Sequence, residues 1–297
     1  MAYRPSTGRV TTHREPSGAR QAHQRFRGTV GRNSTTFLGV VLLLFVALLP
    51  IIWTFLSSFK TERDIAVRIP KLFFEPTLSN YLTVLDSQDV QNGLINSVIV
   101  VGGALLIGVV LGVPAAHALA RYGRRVREEA QFFVLSIRFT PPVAIALPAI
   151  AIFQWAGLTD TLLSVVLVYS LTTISTIIWL GVPAFQDVPI DLEEAARLDG
   201  LGSWGVFFRV ALPVAIPSLV GALLFTFVIT WNELLMALIL TSKETTLPVV
   251  AAGFTTLGME VPRGLINASA ILLAFPPLLL IGLVLRFIDG FLEKKSS

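Results

Sequence analysis

Cysteine is missing altogether from this 297-residue chain, which excludes disulfides, thiolate metal sites and thiol chemistry together. Histidine is nearly missing: the three present, His13, His23 and His117, form no pair at metal-ligand spacing, so no metal site is assigned. No G-x-x-x-x-G-K-S/T phosphate loop occurs, so the chain cannot itself hydrolyse ATP. The lack of an H-E-x-x-H pair, or of a nucleophile beside its base, argues against an intramembrane hydrolase, and no catalytic residue is assigned. Charge is thin as well, 14% Asp, Glu, Lys and Arg against about 25% in soluble domains. The formal charge of +4 does not point to nucleic acid, because the basic residues sit beside apolar runs and form no single basic face.

What fills the chain is apolar: 54% of residues are hydrophobic and the mean hydropathy is +0.73. A helix needs about 20 residues to cross roughly 30 Å of hydrocarbon. Six charge-poor runs meet that length, at 37–59, 94–120, 131–155, 162–186, 217–240 and 265–285. They lack the polar alternation of barrel strands, so the fold class predicted is an all-α integral membrane protein with six transmembrane helices. No A-x-A-like cleavage site follows the first run, which predicts a retained anchor. Residues 1–36 hold seven arginines and a single acid, Glu15, among Ser, Thr and Gly, a composition that predicts a disordered basic tail. An organelle transit peptide has a similar composition, but the bacterial-looking motifs below oppose that reading. The membrane domain is thus expected over 37–289, with a short C-terminal tail at 290–297.

Sidedness follows from where the basic residues fall. With the N-terminus in the cytoplasm, sixteen Lys and Arg lie on inner segments. Six lie outside: Lys60, Arg63, Arg68, Lys71, Lys243 and Arg263. Both termini are therefore predicted to be cytoplasmic, and so is the loop 187–216.

That loop begins DVPIDLEEAARLDGLGSWGVFF. Pro189 and Asp191 predict a helix start, with Glu193 and Glu194 in the first turn where the macrodipole favours acids. Ala195 and Ala196 keep the helix slim enough for another protein to approach, and Gly200 stops it in a left-handed conformation. A second short helix is predicted from Trp204 to Ala211, after which Pro213 and Pro217 redirect the chain into span five. Two helices at a fixed angle make a lever between a cytoplasmic partner and a membrane span.

Glu194-Ala195-Ala196, three residues, Gly200, nine residues, Val210, one residue and Leu212-Pro213 resemble the EAA motif of binding-protein-dependent ABC importer permeases. Val210 stands where the pattern usually has Ile. The stretches PTLSNY at 76–81, TWNELLMALIL at 230–240, Thr246-Leu247-Pro248 and RFIDGF at 286–291 are similar to the MalG-type carbohydrate permeases. The resemblance implies a type I ABC importer permease fold in a bacterial cytoplasmic (inner) membrane. It implies that Glu193, Glu194, Ala195, Ala196, Asp199, Gly200 and Pro213 couple to an ATPase. It also implies as partners a second, MalF-like permease, two ATPase subunits and an extracytoplasmic solute-binding protein. This chain would hold no cofactor, with ATP and Mg on the ATPase subunits. For the loop between spans five and six it implies that Glu244, Thr246, Pro248 and Glu260 meet the binding protein; read from its residues alone, the loop is equally a simple connector.

Charged groups at membrane depth face a partner or a water-filled path by default. Glu233 lies about 16 residues into span five, roughly 24 Å from its inner end. Trp231, Asn232 and Glu233 together offer a stacking face, an amide and a carboxylate suited to a sugar, which predicts a solute path; a helix-packing cluster is the other reading. Arg138 lies about 10 Å into span three, too far axially from Glu233 to pair. It either snorkels to inner headgroups or contacts solute or the companion permease. His117 is read as an interfacial residue. A secondary transporter is the rival function, but it predicts an ion-coupling carboxylate at mid-membrane, and only Glu233, lying outward, is available. The expectation is therefore a permease subunit for a sugar, polyol or glycerol-phosphate type of solute.

Overall fold

In lipid a backbone must satisfy its own hydrogen bonds, and apolar runs of this length do so as helix. The computed structural model describes the backbone of residues 34–256 and 262–296, and side chains over 37–254 and 262–286, and the described residues contain no strand. The basic tail lies almost wholly outside them. Five helices are long and apolar enough to cross a membrane, six when one sharply bent pair is taken as a single span.

The chain divides into two compact units, Met1–Trp53 and Thr54–Ser297. The first contributes most of the helix Ser34–Ser58, whose side chains from Phe37 to Trp53 are all exposed. A helix apolar on every side and exposed on every side faces hydrocarbon.

In the second unit, span two runs over Gln88–Arg121 and span four over Leu162–Gln186, and these two pack most intimately. Small residues set the distance. A Cβ on Gly108 would stand 2.9 Å from Ile177 Cδ1 and 3.1 Å from Thr173 Oγ1, so only glycine lets the helices meet here. Thr173 Oγ1 adds an interhelical hydrogen bond to the Ala104 carbonyl at 3.0 Å. Toward the loop that follows span four, the same contact widens into a core of Val113, Ala116, Ile177, Val182, Phe185 and Phe207.

Three spans depart from expectation. Span three is not straight: helices Arg124–Phe139 and Pro142–Trp155 meet at 83°. Pro142 has no N–H to donate and pushes the residue before it out of the helical region, and Thr140 and Pro141 are extended with ψ of 128° and 135°. Span five starts earlier than predicted, because no separate helix ends at Ala211, and stops earlier, at Trp231, which leaves Leu235–Leu240 as a separate short helix. Ser203–Val206, a π-helical turn Phe207–Ala211 and Leu212–Trp231 form one continuous rod. Pro213 therefore does not redirect the chain. Its ring would crowd the carbonyl four residues earlier, and the widened turn, in which Leu212 N–H reaches back to the Phe207 carbonyl, makes room. Span six runs helical from Arg263 to Ser296, through most of the segment expected as a tail.

The connections carry more helix than their polarity suggested: Glu62–Ile65, Ser79–Asp86 and Leu247–Thr256.

Candidate coupling site and solute path

The loop after span four folds as the helix Ile190–Leu198, with Asp191 and Glu193 in its first turn. Its end is a Schellman-type stop: Leu201 N–H bonds the Ala196 carbonyl at 3.0 Å, and Gly200 takes φ +87°.

This helix has two faces of different chemistry. Glu193 and Ala196 point inward, 1% and 7% exposed, whereas Glu194, Ala195, Arg197, Leu198, Asp199 and Gly200 are exposed, as is Pro213. Glu193 accepts hydrogen bonds from Arg121 Nε at 3.0 Å and from the second Arg121 nitrogen, Nη2, and its oxygens lie 3.2 and 3.3 Å from His117 Nε2. An ionised carboxylate only accepts, so His117 carries its proton on Nε2 toward Glu193. Arg121 also donates to the Val188 carbonyl at 3.2 Å. The His117 ring is held by Phe185 and Phe207, at 5.1 and 5.2 Å between centroids. Burial opposes ionisation of Glu193, but the hydrogen bonds and charges of Arg121 and His117 outweigh it, and the carboxyl sits below its usual range. His117 and Arg121 are the residues the sequence reading missed. Only the spacing of an Arg and a His one turn apart at the end of span two hinted at a common face.

The outward face is apolar where it protrudes: Leu198 is 89% exposed, with Ile190, Leu192, Trp204 and Phe208 exposed around it. Trp204 and Phe208 stack at 5.8 Å.

The residues expected along a solute path separate. Arg138 and Glu233 line one cavity with Tyr169, Thr172, Thr176, Ile229 and Thr230, so they are brought together although no ion pair joins them. The bend in span three and the end of the span-five helix at Trp231 made the straight-rod distance misleading. Glu233 turns a carboxylate oxygen to the Met236 N–H at 3.1 Å, and its carbonyl accepts from Tyr169 Oη at 2.9 Å. Asn232 is exposed. Trp231 is not available to a solute: it is 2% exposed, stacks on Phe227 at 5.7 Å and donates Nε1–H to the Leu273 carbonyl at 3.0 Å. Its aromatic face serves helix packing.

The loop between spans five and six is also rearranged relative to expectation. Glu244 is exposed, but Thr246 and Pro248 are buried. Leu247 N–H donates to Ser97 Oγ at 2.8 Å, and Asn96 Nδ2 donates to the Thr245 carbonyl at 3.0 Å, so the loop is strapped onto span two. Glu260 lies outside the described residues. Asp160, at φ +54°, accepts from the backbone of Ser242 at 2.8 Å and of Lys243 at 3.1 Å; the Ser242 bond is the main reason its carboxyl lies below its usual range.

A polytopic helical membrane protein, with an exposed slim helix on a loop braced against its own spans, is the class that this architecture defines. The chain is 34% identical to the trehalose transport system permease protein SugB of Mycobacterium tuberculosis, over 83% of this chain and 92% of that one. It is 31% identical to the sulfoquinovosyl glycerol transport system permease protein SmoH of Agrobacterium fabrum, over 72% and 76%. Among solved structures it superposes on a chain of a bacterial ABC transporter involved in import of the acidic polysaccharide alginate. The TM-score there is 0.70 at 21% identity, covering 92% of this chain and 99% of that one. The chain belongs to the family of binding-protein-dependent transport system inner membrane components, which it matches over residues 108–297. It is an inner-membrane permease subunit of an ABC importer with the type I fold, and not an enzyme.

Proposed function

We propose that the chain imports a sugar or sugar-like solute by alternating access, with the loop 187–216 and both termini in the cytoplasm. Two ATPase subunits, holding ATP and Mg, drive it through the coupling helix; a second, MalF-like permease completes the pathway, and an extracytoplasmic binding protein delivers the solute. Permeases for trehalose and for sulfoquinovosyl glycerol among the relatives support the carbohydrate class.

The observation that carries this reading is the division of the coupling helix into a buried ionic face and an exposed apolar one. Leu198, Leu192 and Ile190 protrude beside Glu194 and Ala195, a surface that a soluble monomer would bury and that an ATPase groove would cover. Arg138, Asn232 and Glu233 are proposed to line the solute path, and Glu244 to meet the binding protein. Because the chain has no cysteine, Leu198→Cys gives a unique site on it for crosslinking to the ATPase. An ATPase adduct and ATP-dependent uptake in vesicles are expected; the absence of both would remove the proposal. Thermal-shift screening of the cognate binding protein against sugars and polyols identifies the solute.

A further inference from the structure

We infer that span two is a strut joining the coupling helix to the outer loop, so that displacement of the cytoplasmic loop reaches the outer face through Glu193, Arg121 and His117 as well as through span five. This role presupposes the docking of the coupling helix on an ATPase proposed above.

Span five is the obvious route, since the second half of the loop, from Ser203, is continuous with it. Yet the coupling helix is also gripped from the side. Glu193 is buried and receives hydrogen bonds from two residues of span two, and the same Arg121 holds the Val188 carbonyl at the helix entrance. A buried charge with its partners fixed in a fork tolerates little sliding, because separation leaves an uncompensated ion out of water. The coupling helix and the inner end of span two therefore move together.

The other end of span two is equally tied. Ser97 Oγ receives the Leu247 N–H, Asn96 holds the Thr245 carbonyl, and Gly93 lets Leu247 and Val250 pack onto the helix backbone. Ser97 and His117 are twenty residues apart, about 30 Å along the helix axis. Between them span two is stiffened by its interlock with span four at Gly108, Thr173 and Ile177. A rod clamped at both ends transmits axial and rotational displacement. Its outer clamp lies at 244–247, beside the exposed Lys243 and Glu244.

The test uses the complete transporter in nanodiscs, with Lys243→Cys as this chain's only thiol and its maleimide labelling rate read with and without ATP trapping. The otherwise unaltered chain is expected to change its rate on trapping. Glu193→Gln should reduce that change on the order of tenfold, Glu193→Asp should retain most of it, and Ser97→Ala, which cuts the opposite clamp, should reduce it as well. Crosslinking of Leu198→Cys to the ATPase is read in parallel complexes that carry it in place of Lys243→Cys. Persistent crosslinking with loss of the outer response is the result expected. No crosslink from Leu198→Cys in the otherwise unaltered chain sinks the coupling reading itself. An undiminished response in Glu193→Gln or Ser97→Ala, or no response in the unaltered chain, overturns the strut. Should Glu193→Gln fail to assemble, Ser97→Ala alone decides.

Discussion

Two adjacent glutamates illustrate how much one position along a helix decides. Glu194 faces outward and Glu193 inward, because successive residues are about 100° apart around a helix of 3.6 residues per turn. Glu193 has a lowered pKa, so its contribution to anchoring the coupling helix is fully present above the ordinary value of 4.5 and is lost as pH falls through the lowered one. Hydrogen exchange over 190–198, corrected for its intrinsic pH dependence, should therefore stay slow at neutral pH and accelerate only below the usual carboxylate range. At Trp231 the expected outcome is structural. Trp231→Ala removes a buried indole and its bond to Leu273, and should destabilise the bundle by about 3–5 kcal/mol. The measurement is thermal unfolding in detergent, where loss of uptake without loss of stability would contradict the packing role.

At the scale of elements, close approach and helix interruption do most of the positioning. Spans two and four meet at Gly108, and Gly108→Val should force them apart at a penalty of about 1–3 kcal/mol. Comparing its unfolding midpoint with that of Gly221→Val, a site with nothing within 4 Å of a new Cβ, separates contact from propensity. Span three bends where two prolines adjoin, which brings Arg138 to the cavity that Glu233 also lines. Span five keeps its continuity past Pro213 because one turn widens, which makes the second half of the loop, from Ser203, and the span a single rod.

For the whole molecule, Arg138 distinguishes the two readings left open by its position. If it faces the solute path, Arg138→Gln should lower uptake at least several-fold while complex assembly and the Leu198→Cys crosslink persist. Unchanged uptake in such a variant assigns Arg138 to snorkelling instead. The cavity it lines is small and hydroxyl-rich, with Thr172, Thr176, Thr230 and Tyr169 beside the two charged groups.

The all-helical membrane class and the spacing of the EAA-like loop were legible in the sequence, since hydrophobic run length and local motif spacing are properties of neighbouring residues. Span four, expected over 162–186, is the helix Leu162–Gln186 for the same reason. Tertiary structure alone decided that Glu193 is locked to residues 72 and 76 positions earlier, that Trp231 is buried, and that Thr246 and Pro248 are covered while Glu244 is not. Such outcomes depend on which faces of distant helices meet. In a chain apolar on nearly every side, hydrophobicity carries no information about those faces, and small residues and a few buried polar groups choose them.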